Sequence, residues 1–395
     1  MKADVIVVGA GPAGSLAART LAERGFSVIC VERKQEIGPP KRCAEGLNKD
    51  TMEALGINPD PAWALNRVHG GVIYSPKGKE IKIQIDKTDG YVIERKIFEK
   101  HLAADAIRKG AKYIVKANAE SVIQKNGVVS GVSVNHMGEN LKIQSKIVIA
   151  ADGVDSKIAR SAGINSTNKL HDFHAGIQYE MAGVSCKEDL LHFFFGDHIA
   201  PKGYAWIFPK GNTIANVGLG IMGSSAKEGA RAINYLDKFI SSNPKYFGNA
   251  SYLEINAGGI PVSAGIEEIV GEGIMLVGDA AHHVHPVTGG GMAFALHGGQ
   301  LAGNVAADAI EASDYSKKYL SAYKVEWDKT HGAKLKKLYR ARMFLEKLSE
   351  DDMEKLANIL TPDDILRLTG GDTKFVIALL LKKAPSLIPI LKKIM

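Results

Sequence analysis

Short, wholly apolar runs recur along this chain, and each ends at a glycine or an acid. Val-Ile-Val-Val after Asp4, Val-Ile-Cys-Val after Ser27, Ile-Val-Ile-Ala after Lys146 and Ile-Met-Leu-Val after Gly273 show no apolar/polar alternation. That predicts strands buried on both faces, as in a parallel sheet. Between the first two, Leu16, Ala17, Thr20 and Leu21 fall on one helical face. Lys96 to Lys109 is a second amphipathic helix, ended by Gly110, and Ala111 to Val115 reads as a further sheet strand.

Elsewhere the pattern alternates. Residues 68–93 suggest an antiparallel hairpin with Pro76–Gly78 as its turn and Lys79–Ile85 as one arm. Strands follow around Glu120–Gln124, Val128–Asn135 and Leu141–Gln144. Then Gly176–Met181, Leu190–Phe195, Tyr204–Pro209 and Thr213–Ile221 read as a mostly antiparallel sheet. A helix runs from a glycine cluster to about Ile310, and residues 311–395 look helical, with a break at Gly370-Gly371. The expected class is α/β. A discontinuous nucleotide-binding domain of Rossmann type takes 1–67, 91–162 and 265–310. An antiparallel-sheet domain covering a ligand takes 68–90 and 163–264, and a helical C-terminal region takes 311–395.

Composition is ordinary for a globular protein, with 45% hydrophobic and 24% charged residues in 395. Charge changes the picture only at one end. The net +7 lies wholly in residues 316–395, which carry 17 basic and 10 acidic side chains. The same segment holds the apolar stretches Phe375–Leu381 and Leu387–Leu391. Basic plus apolar suggests peripheral contact with an anionic membrane; a solvated helical cap is the commoner alternative. Nucleic acid is not an expected partner, since no basic patch interleaves with aromatics. Cys30, Cys43 and Cys186 are too scattered for a zinc site or a disulfide framework, which fits a reducing cytoplasm. The strand at the N-terminus leaves no room for a signal peptide, and no apolar run approaches the ~18 residues of a membrane span.

The candidate chemistry starts at Gly9-Ala10-Gly11-Pro12-Ala13-Gly14, a G-x-G-x-x-G turn between a buried strand and a helix. The spacing lets a pyrophosphate approach the backbone at Gly11, with the helix N–H groups facing it. Glu32 ends the second strand, where an acid can take ribose hydroxyls. The fingerprint alone leaves FAD and NAD open. A Pro- and Gly-rich loop, Ile37–Gly46, then runs on with Cys43 in it, either a small apolar residue or a thiol near a redox ring. Asn118-Ala119 is placed just beyond a strand's carboxyl end. Asp152-Gly153 at a strand-to-helix junction is either a cap or a second cofactor contact. Tyr204, Trp206 and Phe208 share one strand face, either as core or as the wall of a hydrocarbon pocket. Gly289-Gly-Gly291 before Met292 aims a helix N-terminus at whatever lies above it. His282, His283 and His285 are irregularly spaced without a cysteine, so no metal is expected.

Gly9–Gly14 with Glu32, Arg95, Asp152-Gly153, and Gly278-Asp279-Ala280-Ala281-His282 with its glycine run together resemble the FAD-dependent fold of the para-hydroxybenzoate hydroxylase type. The resemblance implies FAD as cofactor, with Asp279 at the ribityl chain and the Gly289–Met292 turn at the pyrimidine side of the flavin. Arg42-Cys-Ala-Glu-Gly46 and Tyr204-Ala-Trp-Ile-Phe-Pro209 are similar to the geranylgeranyl reductases, and the whole chain to the archaeal digeranylgeranylglycerophospholipid reductases. That family implies saturation of isoprenoid double bonds in membrane ether lipids. It places Tyr204, Trp206, Phe208 and Pro209 on the lipid cavity, with Gly370 as a further substrate contact, and Cys43 near the flavin as a tentative catalytic thiol. Carried over the same way, the cofactor set comprises Gly9, Gly11, Ala13, Gly14, Glu32, Arg33, Cys43, Ala44, Gly46, Arg95, Ala119, Asp152, Gly153, Asp279, Gly290, Gly291 and Met292. Hydroxylases of this fold usually carry Asn where Met292 stands, and halogenases carry Trp where Tyr204 stands. FAD monooxygenation of an apolar substrate, and non-redox isomerisation or cyclisation of a polyprenoid, remain the rival readings. The electron donor, ferredoxin or NADPH, is left open.

Overall fold

The computed structural model describes residues 1–84 and 90–392, with backbone alone at 227, 228, 373, 374 and 376. Ile85, expected to end a hairpin arm, lies outside the described residues, as do the last residues of the basic tail, 393–395.

The buried runs form one six-stranded sheet, ordered Val270–Gly271, Ile274–Leu276, Ile147–Ala150, Val5–Val8, Val28–Val31, Lys112–Ile114. All neighbours are parallel except the first pair. Val8 is level with Val31 on one side and with Ala150 on the other, and Ala150 is level with Leu276. The glycine turn, Glu32, Asp152 and Asp279 therefore leave adjacent strands at the same carboxyl edge. The chain goes to opposite sides of Val5–Val8, which opens a crevice there.

Beside this sheet lies a three-stranded antiparallel sheet of Ala117–Lys125, Val128–His136 and Glu139–Gln144. Its first strand carries Ala119, shortly past the carboxyl end of Lys112–Ile114. Ala119 is buried and paired opposite Val134. Ala117 donates its N–H to the Glu32 carbonyl (2.8 Å), which captures the backbone early.

A seven-stranded sheet is ordered Ser251–Pro261, Phe173–Ala182, Ile214–Met222, Tyr204–Gly211, Leu191–Phe195, Gly70–Tyr74, Glu80–Gln84. The hairpin expected in 68–93 thus joins this sheet, through a parallel pairing of Gly70–Tyr74 with Leu191–Phe195. One face buries Ile177, Tyr179, Ile207, Val217 and Leu219 against the helix Ala232–Ser241 and its neighbours. The other face meets the nucleotide-binding side. Gly46–Asn48, Gly90–Ile93 and Ala64–Val68 make a small sheet at that junction.

The long helix Met292–Glu311 packs along Pro12–Glu23 by small residues. A Cβ on Gly299 would stand 2.1 Å from the Ala13 carbonyl oxygen, and one on Gly303 would stand 2.9 Å from Thr20 Cβ. The two helices run in the same direction, and with Gly299 level with Ala13 the Met292 end projects about two turns beyond the Pro12 end. Helices from Lys317 onward complete the chain, and the apolar runs of the tail turn largely inward. Leu380, Ala384 and Leu387 pack on Phe344, Leu348 and Leu356, leaving Leu366 and Leu381 as exposed leucines of this region. Among the described residues no helix is long and apolar enough to cross a membrane.

Gly299→Ala is expected to cost about 1–3 kcal/mol, since backbone cannot yield as a side chain would. Thermal melting together with the fraction of protein-bound flavin after gel filtration checks it. A melt and a flavin content equal to the parent's would show the helices can part freely.

Candidate functional site

Two helices start on this side of the sheet without side-chain caps and without acidic residues in their first turns. One follows Gly11, the other Gly291. Gly14 can have no Cβ, which would stand 1.9 Å from the Gly9 carbonyl oxygen, while the space beside Gly11 is open. A Cβ on Gly278 would touch Ala13 and Ala295, so the turn carrying Asp279 is wedged between the two helices. Uncapped N–H groups and two positive dipole ends suit an anionic dinucleotide.

The carboxylates around this crevice differ in their partners. Glu32 accepts N–H from Ala10 (2.9 Å) and Lys34 (2.9 Å), tying the glycine turn to the next strand. Asp152 takes the first of its two expected roles. One oxygen accepts the Ile158 N–H (3.0 Å) as a helix cap, and the other is buried with no partner. Burial pushes its carboxyl up, and the Ile158 N–H offsets part of that. Burial pushes Asp279 up as well, opposed by the field of Arg95. Arg33 reaches across to Asp155 (2.9 Å), the last residue of the turn that Gly153 opens. An orphaned buried carboxylate oxygen beside two uncapped helices fits FAD, whose ribose, pyrophosphate and ribityl groups would answer these atoms.

The second half of the site is built on the loop 41–46. Glu45 is fully buried at φ +75°. Its carboxylate accepts from the Arg95 N–H (2.7 Å), from Asn216 Nδ2 (2.7 Å) and from the ammonium groups of Lys41 (3.0 Å) and Lys210 (2.9 Å). Lys41, itself buried, also contacts Glu180. Three amides on neighbouring strands of the large sheet then hold three carbonyls of the loop. Asn256 donates to Lys41 O (2.6 Å), Gln178 to Cys43 O (3.0 Å) and Asn216 to Ala44 O (3.1 Å). Cys43 Sγ accepts the Glu45 N–H (3.2 Å), and its side chain packs in the apolar cluster that contains Met292, Leu296 and Tyr91.

The aromatic wall abuts this loop. Tyr204, Trp206 and Phe208 share their face with Phe193, and Phe208 lies 3.2 Å from the Cβ position of Gly46. Trp206 donates its indole N–H to Gln178 (2.9 Å), the amide that holds Cys43 O. Its ring fits because Gly218 opposite it has no side chain; a Cβ there would stand 2.5 Å from the indole. Tyr204 donates its hydroxyl to the Thr288 carbonyl, next to the glycine run. Pro209 accepts from Asn66 Nδ2 (2.8 Å) at the far end of the wall.

The residues singled out in sequence thus converge, apart from Gly370. It caps the helix Pro362–Thr369 and is linked only indirectly: His285 faces Thr369 O (3.3 Å) and accepts the Thr288 N–H (3.2 Å). The neighbouring histidines diverge. His282 bonds Ser263 (2.8 Å), and His283 stacks on Trp327 at 3.6 Å. The carboxylate group with metal-ligand spacing is Glu45, Glu94 and Glu180. Lys210 Nζ already stands 2.9, 2.7 and 2.9 Å from these three, in the place of a cation. Lys41, Glu45, Glu180, Lys210, Gln178, Asn216 and Asn256 were missed in sequence. The available signal was polar residues at inward positions of otherwise apolar strands.

Three family models match: an FAD binding domain over residues 2–203, a geranylgeranyl reductase catalytic domain over 172–260, and squalene epoxidase over 262–354. The digeranylgeranylglycerophospholipid reductase of Methanothrix thermoacetophila is 39% identical over 98% of both chains. A second reductase of that name from Methanopyrus kandleri is 40% identical over the full length of both. A crystal structure of a geranylgeranyl bacteriochlorophyll reductase-like protein from Thermoplasma acidophilum superposes with a TM-score of 0.92 at 37% identity, covering 100% of this chain and 99% of that one.

Two outcomes follow from this geometry. Glu45→Ala leaves two buried lysines with only one of the two acids they share, Glu180, and is expected to cost about 3 kcal/mol in denaturant unfolding. A loss below about 1 kcal/mol would show that water replaces the carboxylate. Burial, reinforced by the Lys334 ammonium, holds His285 down at about 4 against an ordinary 6.5. Its folded value is depressed, so the His285 latch is intact above about pH 6.5 and is lost as pH falls toward 4. Hydrogen exchange in residues 369–371, normalised to intrinsic rates, should rise across that window and stay flat in His285→Phe.

Matched over its full length by relatives at about 40% identity, this chain belongs to the digeranylgeranylglycerophospholipid reductase family of FAD-dependent oxidoreductases.

Proposed function

We propose that the chain saturates the C=C bonds of geranylgeranyl chains in archaeal membrane ether lipids, the digeranylgeranylglycerophospholipids. The observation that carries the reading is the aromatic wall joined to the Cys43 loop through Gln178. An apolar face without free polar tips suits a hydrocarbon, and its tie to the loop suits a reaction at that spot. Residues 1–67, 91–162 and 265–310 form the FAD-binding part, 68–90 and 163–264 the lipid-binding part, and 311–395 the helical region that closes over both.

When bound and reduced, FAD supplies a hydride. An isolated trisubstituted alkene resists hydride alone, so a proton must arrive with it or before it. Cys43 is the proton-holding group of this reading. Its thiol shares an apolar cluster with Met292, whereas His285 is engaged at both ring nitrogens and His283 is stacked on Trp327. The wall excludes water and aligns the alkene, and the N-terminus at Gly291 favours negative charge on the reduced cofactor. Electrons come from an external donor, ferredoxin or NADPH. The enzyme works in the cytoplasm against the membrane face, with the exposed Leu366 and Leu381 among the basic residues of the C-terminal region as its contact.

Anaerobic incubation of the chemically reduced holoenzyme with an unsaturated archaeal ether lipid should add two hydrogens per double bond by product mass. Unchanged mass would leave an isomerase or cyclase, and an added oxygen in air would mean a monooxygenase. Cys43→Ala should lower turnover at least tenfold with flavin still bound; full turnover would remove the thiol from the reaction. Leu366→Asp/Leu381→Asp should weaken flotation with anionic liposomes without loss of flavin, and unaltered flotation would refute the contact.

A further inference from the structure

The inward face of the seven-stranded sheet continues past the aromatic wall. Cross-strand pairing sets Gln178, Gly218, Trp206, Phe193, Ile73 and Ile81 in one transverse row, level with one another and so on one face. The row begins polar, where Gln178 donates to Cys43 O (3.0 Å), and ends aliphatic. Trp206 and Ile81 are each 7% exposed, while Phe193 and Ile73 between them are only partly buried. An apolar row that is covered on either side of a partly open middle is the shape of a groove for a hydrocarbon.

The far end of the row is closed by the C-terminal helices. Ile81 packs with Ala357 and Ile365, from the helices Glu350–Ile359 and Pro362–Thr369, and Leu360 between the two helices lies against the same cluster. Polar ties hold this cover on the hairpin. Lys79 Nζ donates to Asn358 (2.9 Å), the Lys77 N–H to Glu354 (3.2 Å), and Lys77 Nζ pairs with Asp351 (2.9 Å). An aliphatic dead end suits the hydrocarbon terminus of a lipid and not its charged head.

We propose that Ile73 and Ile81, backed by Ala357 and Ile365, are the stop against which the prenyl tail ends, and that they set the accepted chain at four isoprene units. The inference rests on the isoprenoid-reductase reading and adds a length specificity to it. From Gln178 the row takes four strand steps to Ile73 and five to Ile81, roughly 19 and 24 Å at a strand spacing of about 4.8 Å. One extended isoprene unit is about as long as one step. A chain whose head-proximal double bond lies at the Cys43 loop therefore lays its fourth unit against Ile73, and a fifth unit meets the buried Ile81. Double bonds farther from the head bring a shorter tail past the loop and need less of the groove. Length discrimination thus falls on the head-proximal bond.

The test uses the FAD-loaded enzyme and glycerol diether phospholipids carrying prenyl chains of three, four or five units. Affinity is read in detergent from quenching of tryptophan fluorescence in the oxidised enzyme, so it needs no turnover. The parent should bind the four-unit lipid about tenfold more tightly than the five-unit one, and in Ile73→Ala/Ile81→Ala the two should come within about twofold. Val72→Ala, on the opposite face of the same strand, should keep the parent's ratio. Ile73→Trp fills the last step. With dithionite as reductant, its product from the four-unit lipid should by mass retain one double bond per chain, whereas the three-unit lipid is saturated fully. Equal affinity of the parent for four and five units would overturn the proposal. So would an unchanged ratio in the opened double variant, an equal shift in Val72→Ala, or complete saturation of the four-unit lipid by Ile73→Trp. Should Ile73→Trp fail to fold, the opened variant decides alone. Absence of any saturation in the parent would instead strike the proposed function, and the affinity series would still report on the stop.

Discussion

One buried carboxylate organises the reactive half of this molecule. Glu45 occupies a backbone conformation that side chains rarely adopt, at φ +75°, and is fully buried. Nothing about the residue favours that place; its partners do. Two ammonium groups, an asparagine amide and the main-chain N–H of Arg95 all point at it. Burying such a set gains little over an apolar core of the same shape. What it gives is a loop with one conformation, because any other would strand charges in the interior. Cys43 inherits its position from that constraint.

A second convergence joins the parts of the chain. Thr288 receives the Tyr204 hydroxyl from the large sheet, gives its N–H to His285, and stands next to the glycine run. His285 in turn meets Thr369 from the C-terminal helices. Residues about 165 apart in sequence thus settle on one turn, and each fixes the orientation of the others.

Much of this was legible in the sequence where one residue type has one physical use. Wholly apolar runs ending in glycine or acid can form only a doubly covered parallel sheet, so its strands and carboxyl-edge residues were readable. The strand carrying Tyr204, Trp206 and Phe208 was readable by alternation, although its role as core or wall was not. Neither were Lys41 and Lys210, since a lysine in a loop or at a strand end is ordinarily solvated. Only the register of strands remote in sequence brings Gln178, Asn216 and Asn256 over the loop. The strand that carries Ala119 starts three residues earlier than the pattern suggested, because the Ala117 N–H bonds the Glu32 carbonyl. The apolar runs of the tail divide in a way composition does not reveal: Leu380 and Leu387 enter a core of their own, while Leu381 stays exposed.

The wall has a consequence for how a repeating chain is measured. Its two polar tips, the Trp206 N–H and the Tyr204 O–H, are spent on Gln178 and Thr288. What remains on that face is ring surface, which attracts hydrocarbon but carries no mark along its length. A polyisoprenoid repeats itself every five carbons. Against such a surface, one unit and the next have nearly the same energy, as teeth of a rack do against a smooth rail. Register along the chain cannot be set by this wall; it has to come from where the ends of the molecule are held.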